Sequence, residues 1–135
     1  MSTNIDKMFG TDKNIEKNGI VLDYGEFQLT VARAGGSNQA YNKRLEQITK
    51  PYRRAIENET MDQKLSMDIL MQVYAETVVL GWEGVTDDKG KDVPFSKEAC
   101  LRMFQNNQDF FLDVQSQATK MVLFKKNIQE IEAGN

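Results

Sequence analysis

Hydrophobic positions change period along this chain, and the changes mark its elements. Between Gly19 and Ala34 they alternate: Ile20, Leu22 and Tyr24 precede Gly25, and Phe27, Leu29 and Val31 follow it. Period two on both sides of a glycine-containing turn predicts a β-hairpin over residues 20–32. Two strands alone are marginal in water, so the hairpin must lay its apolar face on a helix. From Tyr41 onward the period becomes helical. Tyr41, Leu45, Ile48, Tyr52, Ala55 and Ile56 keep one register through Pro51, which predicts either a kinked helix or two short helices in line.

The stretch Thr60–Trp82 carries the longest helical pattern. Leu65, Ile69, Val73 and Leu80 follow one face, Met67, Leu70, Met71, Tyr74 and Val78 cover the next, and only Lys64, Asp68, Gln72 and Glu76 form a polar stripe. So narrow a wet face predicts a central helix surrounded by other elements. Thr60 and Gln63 have the spacing of a capping box at its start, and Gly81 suits its close. A polar loop follows from Glu83 to Pro94, with a small hairpin between Val85 and Val93. Ser96 predicts the N-cap of a further helix that ends at Asn106-Asn107. The last helix is expected from about Asp109 to Glu130. Its stripe is Phe110, Val114, Met121, Phe124, Ile128 and Ile131, widened by Phe111, Ala118 and Val122. Residues 1–18 are mostly polar and read as a flexible N-terminal arm, with Met8-Phe9 its one apolar pair and Phe9 its docking residue. The expected fold is mainly α: a single domain over 19–135 of about four helices with an N-terminal β-hairpin.

Composition narrows the function. At 135 residues the chain suits one domain. Its 17 basic and 20 acidic residues leave a net charge of -3, with no global attraction for nucleic acid or an anionic membrane. Cys100 is the single cysteine, which excludes an internal disulfide framework and fits a reducing compartment. No apolar run approaches the roughly 20 residues needed to span a bilayer, and the N-terminus is not signal-like. A soluble, intracellular protein is expected.

Histidine is absent, which removes the usual general base at neutral pH and the commonest metal ligand. Enzyme function and a bound cofactor are therefore not expected. Gly35-Gly36 lacks both the dinucleotide fingerprint and a P-loop lysine, and reads as a hinge with Ser37 as the following N-cap. With Gly90 at the sixth position of a calcium loop, Val85 and Lys89 would occupy ligand positions, so the acidic loop does not read as a metal site. Nothing near Asp87-Asp88 would desolvate a carboxylate for acid catalysis.

Interaction is the better-supported class. Lys43, Arg44, Lys50, Arg53 and Arg54 stand against only Glu46 and Glu57. Without aromatic interleaving or a groove-entering motif, this basic segment reads as a solvated face before a nucleic-acid site. Trp82 reads as a core-capping aromatic, with an exposed anchor as the alternative. Five of the seven methionines fall between Met61 and Met121, a composition that suits a helical core and also a helix-binding surface.

Several blocks resemble a known family. Phe9-Gly10-Thr11-Asp12-Lys13, Asp23-Tyr24-Gly25, Val31-Ala32-Arg33, Thr49-Lys50-Pro51-Tyr52-Arg53-Arg54 and Tyr74-Ala75-Glu76-Thr77 are similar to the tail assembly chaperones of long, non-contractile-tailed phages. So are Gly81-Trp82-Glu83-Gly84-Val85-Thr86-Asp87 and Gly90-Lys91-Asp92-Val93-Pro94-Phe95-Ser96. The resemblance spans about Phe9 to Phe124. It implies a non-catalytic assembly factor in the host cell cytoplasm, absent from the mature virion. Such a factor keeps the tape-measure protein, a long and poorly soluble helical chain, from aggregating until the tail-tube protein polymerises around it. The expected partners are thus the tape-measure protein, the tail-tube protein and further copies of the chain as a homo-oligomer, with no membrane and no nucleic acid.

Surface patterning places the expected client contact on the last helix, at Phe110, Phe111, Val114, Ala118, Met121, Val122 and Phe124. Lys50, Arg53 and Arg54 would steer acidic client segments, and Trp82 would be a further anchor. The competing classes are a structural head–tail or tail component retained in the virion, and a small nucleic-acid-binding regulator. Lys125-Lys126-Asn127 can be encoded by a slippery adenine run, and family members often make a longer product by minus-one frameshifting at such a run.

Overall fold

The computed structural model describes residues 4–125. The hairpin forms where the alternation places it: β1 (Ile20–Asp23) pairs antiparallel with β2 (Gln28–Val31), Leu22 opposite Leu29. It does not remain two-stranded. A third strand, β3 (Val79–Glu83), pairs antiparallel with the other edge of β2, Leu29 opposite Trp82, in the order β1-β2-β3. Because side chains alternate across a sheet, Leu22, Leu29 and Trp82 share the inner face, and Val21, Thr30 and Gly81 the outer one. Leu29 and Val31 are fully buried, whereas Val21 is 64% exposed. A register shift between Thr30 and Val31 leaves Leu80 without an opposite residue, and it too faces solvent.

The expectation of a mainly α domain with about four helices and a lone hairpin is therefore corrected. The described residues form a mixed α and β architecture, seven α-helices with a three-stranded antiparallel sheet. The difference arises inside Thr60–Trp82. Helix α5 covers only Gln63–Thr77. Asp62, not Thr60, caps it, accepting a hydrogen bond from the Leu65 N–H at 3.0 Å. Gly81 does not close it, because the chain leaves the helix at Val78. The run Val78-Val79-Leu80-Gly81-Trp82 is dominated by β-branched and aromatic residues that suit a pleated surface. The hairpin also offers an edge whose amides and carbonyls need partners. The Ala32 N–H donating to the Val78 carbonyl at 2.8 Å fixes the crossing.

The remaining helices obey local signals. After α1 (Asn4–Phe9) and α2 (Lys13–Asn18), α3 runs over Gln39–Thr49. Pro51 sits in a 3-10 turn, Lys50–Tyr52, that leads in line into α4 (Arg53–Glu57). Ser96 caps α6 (Lys97–Asn106), its hydroxyl accepting from the Ala99 N–H at 3.0 Å. Helix α7 stops at Ala118 (Gln108–Ala118), and a second 3-10 turn, Met121–Phe124, comes after it. The last helix is thus shorter than expected. Ile128, Ile131 and the Lys126-Asn127 pair lie outside the described residues.

The core is knit by aromatic edges. Tyr74 of α5 meets Phe111 of α7 with ring centroids 5.2 Å apart, and Phe111 meets Phe104 of α6 at 5.1 Å, both edge to face. All three are almost sealed from solvent. Tyr41 of α3 adds its edge to Tyr74 at 5.8 Å. Cys100 lies in the same cluster, and burial pushes its thiol up to about 12, so it holds almost no thiolate at neutral pH.

Residues 1–18, expected as a loose arm, contain a docked helix where they are described. Glu16 of α2 is only 2% exposed. Its carboxylate accepts from Arg33 Nη1 at 2.6 Å, Ser37 Oγ at 2.9 Å and Thr11 Oγ1 at 3.1 Å. Burial alone would raise its pKa, but the hydrogen bonds from Arg33, Ser37 and Thr11, with the Arg33 charge, outweigh that and hold it below the ordinary carboxylate value. Gly36 is required by this packing: its φ is +53°, and a Cβ there would collide with the Glu16 carboxylate. With Ser37 committed to Glu16, Asn38 caps α3 instead. Its side-chain amide also ties Arg33 to the end of α5 through the Thr77 carbonyl at 3.1 Å.

Phe111→Ala is expected to destabilise by about 3–5 kcal/mol in urea unfolding, whereas Leu80→Thr should stay within about 0.5 kcal/mol. Glu16→Gln should cost about 2 kcal/mol at neutral pH, since it weakens charge-assisted hydrogen bonds. A carboxylate whose folded pKa is depressed contributes stability above its unfolded value, here near 4.5, and loses it as pH falls through the folded value. The stability gap between parent and Glu16→Gln should therefore be full at pH 7 and shrink below about pH 4.5.

Candidate functional site

The structure divides the residues expected to bind a partner. Phe111, Val114, Ala118 and Phe124 are completely buried. Phe110 and Met121 are half-buried, and Val122 is exposed on the second 3-10 turn. Most of the stripe expected to hold the client, Phe110–Phe124, is core. Its width, too great for one helix contact, is used because α5, α6 and the sheet surround α7. A charged residue at position 111 would be placed in the core, so it cannot serve as a surface probe.

Among the concavities beside α6, two lie on opposite sides of it. Leu101 and Gln105 line one and Met103 and Asn107 the other. These pairs are two residues apart in sequence, hence about 200° apart around the helix.

The first is an open cleft of about 350 Å³ walled by Phe27, Trp82, Val85, Met103 and Phe110, with Glu26, Thr86 and Asn107 at its edges. Tyr24 stacks on Phe27 at 4.9 Å, and Phe110 sets its edge against both rings at 5.9 Å. The Tyr24 hydroxyl donates to Asp113 Oδ2 at 2.7 Å, and burial together with that carboxylate pushes the phenol pKa well up. Trp82 is half-buried in β3; its indole N–H donates to the Val93 carbonyl at 2.8 Å, and Phe95 meets it edge-on at 5.1 Å. The loop beyond is closed by a bridge between Thr86 and Asp92. Gly84, at φ +80°, lets β3 end against the hairpin turn, since a Cβ there would meet the Glu26 carbonyl. The surroundings are acidic: Glu26, Glu83, Asp87, Asp88 and Asp92 are exposed against Lys89 and Lys91.

The second concavity is a groove of about 520 Å³ between α3, the Pro51 turn, α5 and α6. Ile48, Pro51, Tyr52, Leu65, Ile69 and Leu101 give it an apolar floor, and Arg44, Gln47, Asp68, Gln72 and Gln105 polar edges. One edge is ordered: Arg44 Nε donates to Glu76 Oε2 at 2.6 Å and Gln72 Nε2 to Glu76 Oε1 at 3.2 Å. Burial raises the Glu76 pKa, but Arg44 and Gln72 outweigh it and the carboxyl stays below its ordinary value. Lys50, Arg53 and Arg54 are exposed on the same turn and on α4, Lys50 and Arg53 around a neighbouring concavity with Glu46 and Glu57.

Of the residues expected to bind, Trp82 and Phe110 meet in the cleft, while Lys50, Arg53 and Arg54 lie on the Pro51 turn and α4; the two sets do not meet. Sequence reasoning missed the apolar walls of both. Ile48, Tyr52 and Leu65 read as ordinary inward faces, and Phe27 as hairpin core. Met103 carried a signal, lying two residues out of register with Leu101 on one helix. Among the described residues, no group of three or more His, Cys, Asp or Glu side chains is placed to hold a metal ion, and no helix is long and apolar enough to cross a membrane.

Neither curated proteins nor solved structures provide a match to the chain. A family model described as YdaY prophage protein matches residues 36–135. The matched stretch begins at the hinge and takes in α3 through α7, with the whole groove and all of the cleft except its hairpin wall. Covering well over half of the sequence, this match makes the chain a member of the YdaY prophage protein family, a phage-derived family.

Proposed function

We propose that this chain is a phage tail assembly chaperone that binds and solubilises the tape-measure protein during tail morphogenesis, acting without catalysis in the host cytoplasm. Membership of a prophage family supports the phage setting. The observation that carries the reading is the groove beside Leu101, with its apolar floor, ordered polar edge and exposed Lys50, Arg53 and Arg54. An amphipathic helix recognises a surface of this kind, laying its apolar face on the floor and its polar flanks on the edges. Apolar stripes on a tape-measure helix cost roughly 25 cal/mol per Å² to leave in water, which favours such docking. The basic flank steers acidic client segments, a contribution that weakens with salt while the apolar grip persists. Tail-tube subunits then take over the client, and the chaperone is lost from the finished particle.

Co-expression with the tape-measure protein tests the proposal. The client should be soluble with the parent chain, and Tyr52→Glu should weaken the complex about tenfold or more while the variant's melting stays close to the parent's. Arg53→Glu with Arg54→Glu should slow association at low salt, with the difference closing at high salt. A client that is soluble without this chain, or is protected equally by Tyr52→Glu, contradicts the proposal. So do peptides of this chain in purified virions, which would instead support a retained structural component.

A further inference from the structure

The aromatic cleft and the α1 helix are each unexplained by the chaperone reading, and they fit one another. No residue of α1 is buried, yet it carries Ile5, Met8 and Phe9, 69%, 57% and 60% exposed. Positions i, i+3 and i+4 fall on one helix face, the spacing with which a helix anchors in an apolar groove. The cleft is an open groove of about 350 Å³ with aromatic and aliphatic side chains on its walls and Glu26, Thr86 and Asn107 at its edges.

Charge is compatible. In the arm, Glu16 is paired with Arg33, and the exposed charges of the described residues are Lys7, Lys13 and Lys17 with Asp6, beside the α2 cap Asp12. Glu26 lines the cleft, and the segment that continues from its wall carries exposed Glu83, Asp87, Asp88 and Asp92 against Lys89 and Lys91. A weakly basic arm thus suits an acidic rim.

Reach decides between one molecule and two. The Asp12 N–H donates to the Phe124 carbonyl at 2.8 Å, and α2 is pinned at Arg33, just beyond the C-terminal end of β2. The cleft lies at the other end, at Phe27. The distance along the strand is roughly 20 Å at the usual rise per residue. Phe9 is three residues from Asp12, about 10 Å of chain at full stretch.

We infer that the Ile5–Met8–Phe9 face of one copy docks in the Trp82–Phe110 cleft of a second copy, so that chains associate head to tail through their N-terminal arms. The contact is heterologous, using two different surfaces, and it generates open strings unless the rotation happens to close. Self-association is already expected of a chaperone; the arm-in-cleft interface goes beyond that reading and stands without it, because no client takes part.

Two measurements test it. Light scattering of the full chain should give a mass of two or more chains that rises with concentration, and Phe9→Asp, a change at an exposed position, should return it to one chain. Trp82 is the only tryptophan and reports the cleft directly. A peptide of residues 4–11 added to the Phe9→Asp chain should shift its emission to shorter wavelength and saturate, while the same peptide carrying Phe9→Asp should leave it unchanged. The inference is overturned by a one-chain mass for the parent at every concentration, by a Phe9→Asp mass equal to the parent's, or by a Trp82 emission that the parent peptide does not move. Failure of client protection with these results intact would remove the chaperone reading alone.

Discussion

Edge-to-face contact among Tyr74, Phe111 and Phe104 is the interaction on which the rest of the structure depends. Each ring belongs to a different helix, and each is sealed from water, so the three fix α5, α6 and α7 relative to one another. Tyr74 stands one turn before the end of α5. The chain must leave the helix soon after it, and the segment that does so is Val78 to Trp82. That run joins the open edge of the hairpin and turns a marginal pair of strands into a sheet with a buried face. Trp82 reaches the cleft only because β3 carries it there.

The same contact determines what is left on the surface. Cys100 and Phe104 hold α6 inward, which directs Leu101 and Gln105 to one side and Met103 and Asn107 to the other. The neighbours of those two sides differ in sign: basic around the Pro51 turn, acidic around the loop after β3. Helix α7, by contrast, gives almost its whole apolar stripe to the interior. A domain built this way leaves its concave surfaces between elements rather than on one long helix.

Much of this was legible in the chain. The hairpin, the interruption of the helix at Pro51, the Ser96 cap and the Asn106-Asn107 helix end are each dictated by a few adjacent residues, and each is found. The third strand was not legible, because Val78, Leu80 and Trp82 continue both a helical register and a strand-forming composition; only the waiting edge of β2 decides between them. Glu16 was equally hidden. It stands in a polar arm, and its partners Arg33 and Ser37 are 17 and 21 positions away. Of the candidate site, the basic residues and Trp82 could be named from sequence, but their separation into two faces of α6 could not, since it depends on which side of that helix packs inward. The phage setting implied by the resemblance agrees with the prophage family that the chain belongs to.

Hydrogen exchange along the full chain, alone and with the tape-measure protein, measures the central claim most directly. If α7 is core and the client lies in the groove beside Leu101, amides over residues 44–57 and 101–105 should gain protection, while those of α7, already protected by packing, should not change. Protection gained over residues 110–118 with none over 44–57 would contradict it, placing the client on the stripe that the Tyr74–Phe111–Phe104 contact holds inside.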